Sequence, residues 1–163
     1  MLAATDFSPV SRLAVEAAIQ LTSATSGELH LLHVIDSSDV PDSVIGVSTV
    51  DNSLRQRINA SAMQRFEEFM AGLPQLVRIR PHLSWGTPWR EINRLVQEVH
   101  AELLVIGSIG RSGISGMLLG NTAERLLGSC SSSVLTLKPA DFHCPIPVQE
   151  AEFSATASTT LIG

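Results

Sequence analysis

Positive charge is scarce in this chain. Its 11 Lys and Arg stand against 16 Asp and Glu, for a net charge of −5, and they form no cluster. Binding nucleic acid by neutralising phosphates needs such a cluster, so that class is set aside. Cysteine is nearly absent as well. Cys130 and Cys144 form no Cys-x-x-Cys and are too few for a disulfide framework, which points to free thiols in a reducing cytoplasm. No apolar run approaches the length of a membrane span. The start, Met1-Leu2-Ala3-Ala4-Thr5-Asp6, lacks a basic region followed by a long apolar segment, so no signal peptide is expected. Charged residues make up only 17% of 163 residues while 44% are hydrophobic, which excludes a disordered chain and suits a single domain with a real core.

Three familiar site signatures are missing too. No glycine is followed by Lys and then Ser or Thr, as a P-loop requires, and no Gly-x-Gly-x-x-Gly dinucleotide fingerprint occurs. Gly113-Ile114-Ser115-Gly116 is one residue short of the nucleophile-elbow spacing. With no positioned base or nucleophile, the chain does not read as an enzyme.

What is present is a glycine-spaced stretch from Gly107 to Gly120, with Gly110, Gly113 and Gly116 between. The apolar run Leu103-Leu104-Val105-Ile106 enters it, and a helical pattern of Ala123, Leu126 and Leu127 leaves it. A strand, a bare loop and a helix start in that order leave free amides where the helix dipole is positive, which suits a phosphate. Glycine loops after strands also serve as plain turns, and spacing alone leaves both readings open. Few cations are at hand for a polyphosphate, so such a site would rest on backbone amides, Arg111 and a metal ion.

Along the chain, strands and helices alternate. Leu2 to Thr5 reads as a short first strand ended by Asp6. Ser8-Pro9 is a helix-start signal, with Val10, Leu13, Ala14, Ala17 and Leu21 as its apolar stripe and Gly27 beyond its end. Leu29 to Ile35 is apolar on both faces, as a buried strand is. Its His30 and His33 fall on opposite faces of a strand and cannot share an ion; they read as satisfied, part-buried histidines. Residues 36–50 read as a loop of the kind that forms lids. A second helix follows on Leu54, Ile58, Ala62, Phe66, Phe69 and Leu73, stopped by Gly72 and Pro74. Leu76 to Leu83 reads as an edge strand with Arg78 and Arg80 outward.

Trp85-Gly86-Thr87-Pro88 then predicts a turn and a second cap-plus-proline helix start, with Ile92, Leu95, Val96 and Val99 buried. A fourth strand covers Glu102 to Ile106, the polar turn Gly128 to Ser132 follows the fourth helix, and Val134 to Lys138 is the fifth strand. Cys130 is expected to be buried. From residue 140 the prolines and small polar residues predict a mobile tail. The pattern is α/β: a doubly wound parallel sheet with helices on both faces. Ligands in such sheets sit beyond the carboxyl ends of the strands, where the winding reverses. If strands one and four flank that reversal, Asp6 and the glycine loop share one crevice. Asp6 could there accept bonds from a ribose or a ring, or it could simply help cap the first helix.

Two stretches together resemble the universal stress protein family. One is Ala4-Thr5-Asp6-Phe7-Ser8 with Leu32-His33-Val34-Ile35-Asp36; the other is Gly107-x2-Gly110-x9-Gly120 with Val134-Leu135-Thr136-Leu137-Lys138 closing the domain. The resemblance covers residues 1–139. It implies a five-stranded sheet in order 3-2-1-4-5, an adenine nucleotide alpha hydrolase-like, flavodoxin-like three-layer sandwich. It also implies a cytoplasmic stress-response protein, dimeric through the strand Val134–Lys138. ATP-binding members of the family imply a site for ATP, ADP or AMP, with Mg2+. Ala4, Thr5 and Asp6 would line the adenosine, the Asp6 carboxylate near the ribose, with Val34 and Ile106 against the adenine. Gly107, Gly110, Arg111, Gly120, Asn121 and Thr122 would hold the phosphates.

Asn121 stands where the ATP-binding pattern has Ser or Thr. The loop from Gly110 to Glu124 is most similar to the tandem E-type branch, whose members carry two such units; a dimer would supply the second. Two functions follow as expectations. One is a non-catalytic, nucleotide-binding regulatory module. The alternative is an interaction module that is empty of nucleotide or takes another small ligand, such as a lipid-like one.

Overall fold

The structure, a computed structural model, describes residues 1–25, 27–36, 52–108, 119–139 and 142. Nine elements follow one another: β1 Leu2–Thr5, α1 Pro9–Thr25, β2 Leu29–Ile35, α2 Asn52–Ala71, β3 Ile79–Trp85, α3 Pro88–Glu98, β4 Leu103–Gly107, α4 Asn121–Ser129 and β5 Ser133–Leu137. The five strands form one parallel sheet in the order β3-β2-β1-β4-β5. From β1 the chain winds outward to β3, then returns to the other side of β1 for β4. The expected reversal therefore lies between β1 and β4.

Strand side chains alternate between faces, and two separate cores result. Leu2, Leu32, Val34, Leu104 and Ile106 pack with Ile92, Leu95 and Val96 of α3 and with Ala123 and Leu126 of α4. Ala3, Leu29, Leu31 and Val105 pack on the other face with Ala14, Val15, Ala18 and Ile19 of α1 and with Phe66 and Phe69 of α2. Each such Leu or Phe removed from water stabilises the fold by about 1.5–3 kcal/mol. With helices on both sides, β2 needs no polar face, which is why its sequence does not alternate.

Helix α1 departs from its apolar stripe. Its buried residues are Ser11, Ala14, Val15, Ala18, Ile19 and Thr22, while Leu13 and Leu21 are exposed at 38% and 39%. Polar side chains explain the rotation. Ser11 Oγ lies 3.0 Å from Thr5 Oγ1 and donates to the Ser8 carbonyl at 2.9 Å, and Thr22 Oγ1 contacts Met1 Sδ at 3.3 Å. Once bonded, these groups are buried at little cost.

Smaller departures have local causes. β3 begins at Ile79 and runs to Trp85, later than the Leu76–Leu83 expected, and Leu76 is exposed. The Gly86 amide donates to the Ile35 carbonyl at 3.0 Å, holding the ends of β3 and β2 together. Thr87 takes the N-cap position of α3 but makes no side-chain cap; its carbonyl instead accepts from the Arg90 and Glu91 amides at 3.0 and 3.1 Å. Leu127 is exposed, α4 continues through Gly128 to Ser129, and Cys130 is half-buried with its thiol 3.4 Å from Ser132 Oγ. Residues 37–50 of the loop expected over 36–50, the tail from 143 and Cys144 lie outside the described residues.

Candidate functional site

The reversal opens a gap. β1 and β4 pair at Leu2↔Leu104 and Ala3↔Val105 and no further, although β1 runs on to Thr5 and β4 to Gly107. Their outer neighbours stay paired to the end, at Thr5↔His33 and Gly107↔Leu137. The last two residues of each inner strand thus part at the carboxyl edge, where doubly wound sheets hold ligands.

On the α3/α4 side of the gap stand Ala4, Val34 and Ile106. All three belong to or pack against the same apolar cluster, so the alternation brings Ala4, expected to line the adenosine, onto one face with Val34 and Ile106, expected against the adenine. Thr5 turns the other way. Its hydroxyl meets Ser11 of α1 and accepts from the Phe7 amide at 3.0 Å, so its side chain serves the turn.

That turn presents Asp6. Phe7 sits at φ 66°, a left-handed backbone that costs an ordinary residue about 1–2 kcal/mol. The Thr5 hydroxyl holds its amide, and its ring lies 4.2 Å from the His33 ring and 4.9 Å beneath the Arg65 guanidinium. His33 is itself fixed, with Nδ1 2.9 Å from the Thr5 carbonyl; a carbonyl only accepts, so Nδ1 carries the proton. Asp6 Oδ1 accepts from the Ser8 amide at 3.0 Å, and Ser8 Oγ accepts from the Ser11 amide at 3.2 Å. Both serine and aspartate therefore cap the entry to α1, and the carboxylate is held at the strand end by a strained, well-packed turn.

Across the gap, Gly107 presses on α1. A β-carbon there would lie 3.1 Å from Val10 Cγ1 and 3.2 Å from the Ser11 amide nitrogen, so packing requires this glycine before any ligand is invoked. The next residue is one that sequence reasoning missed. Ser108 donates its amide to the Leu137 carbonyl at 2.7 Å, and its own carbonyl accepts from the Gly120 amide at 2.7 Å, closing the glycine loop at its root. Its side-chain oxygen is buried and, among the described residues, has no hydrogen-bond partner. Burying a hydroxyl unpaired costs about 1–3 kcal/mol, and an orphaned group beside a helix start suits a site built for an acceptor. The only signal for it was its place inside Gly107-x2-Gly110.

Gly120 is the N-cap of α4, at φ −82° and ψ 157°, and supplies no side-chain cap. The first-turn amides at Asn121 and Thr122 are thus uncapped by a side chain at the positive end of the helix. Asn121 is exposed and Thr122 half-buried. Gly110 and Arg111, expected to complete the phosphate side, lie outside the described residues. Among those described, no cluster of three or more metal-binding side chains occurs, and no helix is long and apolar enough to cross a membrane.

Comparison with known proteins agrees with this architecture. The sequence model of the universal stress protein family matches residues 1–138. The Universal stress protein E homolog of Haemophilus influenzae is 32% identical over 136 residues, covering 77% of this chain and 41% of that protein. The chain spans less than half the length of the E-type relatives it matches. The solved structure of MJ0577, a universal stress protein of Methanocaldococcus jannaschii, superposes with a TM-score of 0.74 at 23% identity, over 86% of this chain and 96% of that one. A universal stress protein crystallised in complex with cAMP superposes at 0.53 with 26% identity, over 84% of this chain and 94% of that one.

Proposed function

The chain belongs to the universal stress protein family, and on that premise we propose that its β1/β4 crevice binds an adenine nucleotide as a regulatory signal rather than as a substrate. The observation that carries the reading is the parting of β1 and β4 between Asp6 and the uncapped start of α4. In this reading the base lies against Ala4, Val34 and Ile106, and the Asp6 carboxylate accepts from the ribose hydroxyls. Main-chain amides at Gly107, Gly110, Asn121 and Thr122, with Arg111, hold the phosphate; the Gly120 amide, expected among them, is instead spent on the Ser108 carbonyl, and Ser108 donates its hydroxyl, unpaired among the described residues.

A nucleotide with one phosphate suits this site better than ATP with Mg2+. The neighbour solved in complex with cAMP carries such a ligand. The chain's net charge is −5 and Asn121 brings no hydroxyl for a metal, so a single charge on backbone amides is the easier load. The protein would act in the cytoplasm as a homodimer through β5, the strand that ends the sheet and exposes Leu135. Such a dimer would give the two units that E-type relatives carry in one chain. Asn121 also favours the second reading, an interaction module that takes no nucleotide.

Calorimetry with cAMP, AMP and MgATP tests the choice, on the wild type and on Gly120→Asp. The backbone at Gly120 is open to any residue, and an aspartate there would cap the α4 amides itself while repelling a phosphate. The expected result is nucleotide binding to the wild type, tightest for a monophosphate, and its loss in a variant that melts no lower. Equal binding by both proteins would move the phosphate elsewhere. No binding to the wild type would favour the interaction module.

A further inference from the structure

Away from the crevice, toward the amino end of β2, two imidazoles converge. His30 Nδ1 and His82 Nε2 lie 2.9 Å apart, with the rings stacked at a centroid distance of 5.1 Å. They come from neighbouring strands, β2 and the edge strand β3, offset by two residues in register on one face of the sheet (His30↔Arg80, Leu32↔His82). The pairing of the two strands brings together residues 52 positions apart, and nothing in the nucleotide reading uses them.

We propose that His30 and His82 form a two-histidine chelating site for a divalent first-row transition ion of tetragonal preference, Cu2+ above all. An ion about 2.0–2.1 Å from each nitrogen sees donors 2.9 Å apart at about a right angle. That angle belongs to tetragonal and octahedral ions rather than to tetrahedral zinc, and Cu2+ heads the affinity order for nitrogen donors. Among the described residues no third metal-binding side chain joins the pair, so water fills the remaining positions and a closed structural zinc site is excluded.

The surroundings set up the donors. His30 Nε2 faces Glu28 Oε2 at 3.5 Å, the carboxylate–histidine arrangement that places a ligand's proton on its far nitrogen. With Nε2 protonated, the Nδ1 lone pair of His30 points at His82, whose Nε2–H donates to it. An ion that replaces that hydrogen bond sits beside the line between the two nitrogens, and each ring turns to aim its lone pair at it: His30 keeps its tautomer, and His82 releases the Nε2 proton to water and takes one up at Nδ1, so both rings stay neutral. Burial lowers the pKa of both histidines, first by desolvation, then for His82 by His30 itself, while Glu28 opposes the shift at His30. Neutral rings are the form a metal needs.

Other charges around the pair are balanced. The terminal ammonium and Arg80 face His30, and Arg94, Arg80 and Glu98 face His82. Arg80 is paired with Glu28, and Arg94 with Glu91 and Glu98 at 3.0 and 2.6 Å. The guanidiniums that would repel an ion are thus already neutralised. With His82 on the edge strand and only half-buried, the site opens to solvent.

The test is a Cu2+ titration of the full chain, with glycine as competing chelator, comparing the wild type with His30→Gln, His82→Gln and the control His100→Asn. We expect one equivalent bound by the wild type, a spin-resonance spectrum with two imidazole nitrogens, and affinity at least about ten-fold weaker in either Gln variant but unchanged in the control. Equal affinity in all four proteins would overturn the proposal. Should a Gln variant fail to fold, trace Cu2+ added to the wild type decides through proton resonances. Selective broadening of the His30 and His82 rings supports the site, and broadening confined to other histidines removes it.

Discussion

The carboxyl end of β4 and the start of α1 meet at Gly107 and Ser11, where an added β-carbon would stand 3.2 Å from the Ser11 amide nitrogen. The helix that Asp6 caps is thus seated directly on the strand that leads into the glycine loop, and the two sides of the crevice are set by one close contact.

Gly107→Ala should therefore destabilise the protein by about 1–3 kcal/mol, as overpacking against backbone does. Gly128, inside α4, has nothing within 4 Å of an added β-carbon. Gly128→Ala should leave stability unchanged or raise it by up to about 1 kcal/mol through helix propensity. Urea denaturation of the two variants checks the contrast; equal losses would show that the contact at Gly107 is not tight.

Ser11→Ala should cost about 0.5–1.5 kcal/mol, the net worth of a hydrogen bond, because it removes one partner each from Thr5 and Ser8, which keep the Phe7 and Arg12 amides. Leu13→Ala, on the exposed side of the same helix, should change stability by no more than about 0.5 kcal/mol. If thermal melts reverse that order, the buried face of α1 follows its leucines after all.

Asp6→Asn separates the cap from the charge. Asparagine keeps an oxygen for the Ser8 amide, so the melting temperature should hold, whereas nucleotide affinity should fall about 10–100-fold with loss of a charged acceptor. Calorimetry reads the affinity, and an unaltered value would confine Asp6 to capping.

Burial depresses the folded-state pKa of His30 and His82 below the ordinary histidine value. The unfolded chain then binds more protons than the folded one as the pH falls below about 6.5. Stability is full above that pH and declines as acid reaches the lower folded values. Melting temperatures in chelator should accordingly drop from pH 7.5 to 5.5, and His82→Asn should flatten the drop. A slope identical to that of the wild type would assign the acid sensitivity to other groups.

Periodicity made much of this molecule legible in advance. Leu29 to Ile35 had to be a strand covered on both faces, and Phe66 and Phe69 had to face a core. The reversal between β1 and β4, with Asp6 at the end of β1, followed from the alternation of strands and helices. Hydrophobic pattern failed where polar groups are buried with partners. Ser11 and Thr22 displaced Leu13 and Leu21 from the inner face of α1, because a bonded hydroxyl beside a strand end is as well placed as a methyl. Thr87 has the residue type of a cap without the bond, since sequence names an acceptor and not its direction.

What the sequence determined by itself is the order of strands and helices and the two motifs that mark the family, because both rest on local spacing. Tertiary structure alone decided that His30 meets His82, that the Ser108 hydroxyl is buried with no partner among the described residues, and that β1 and β4 part after Ala3↔Val105. These are relations between segments far apart in the chain. They depend on the register and twist of the assembled sheet, which no local pattern encodes.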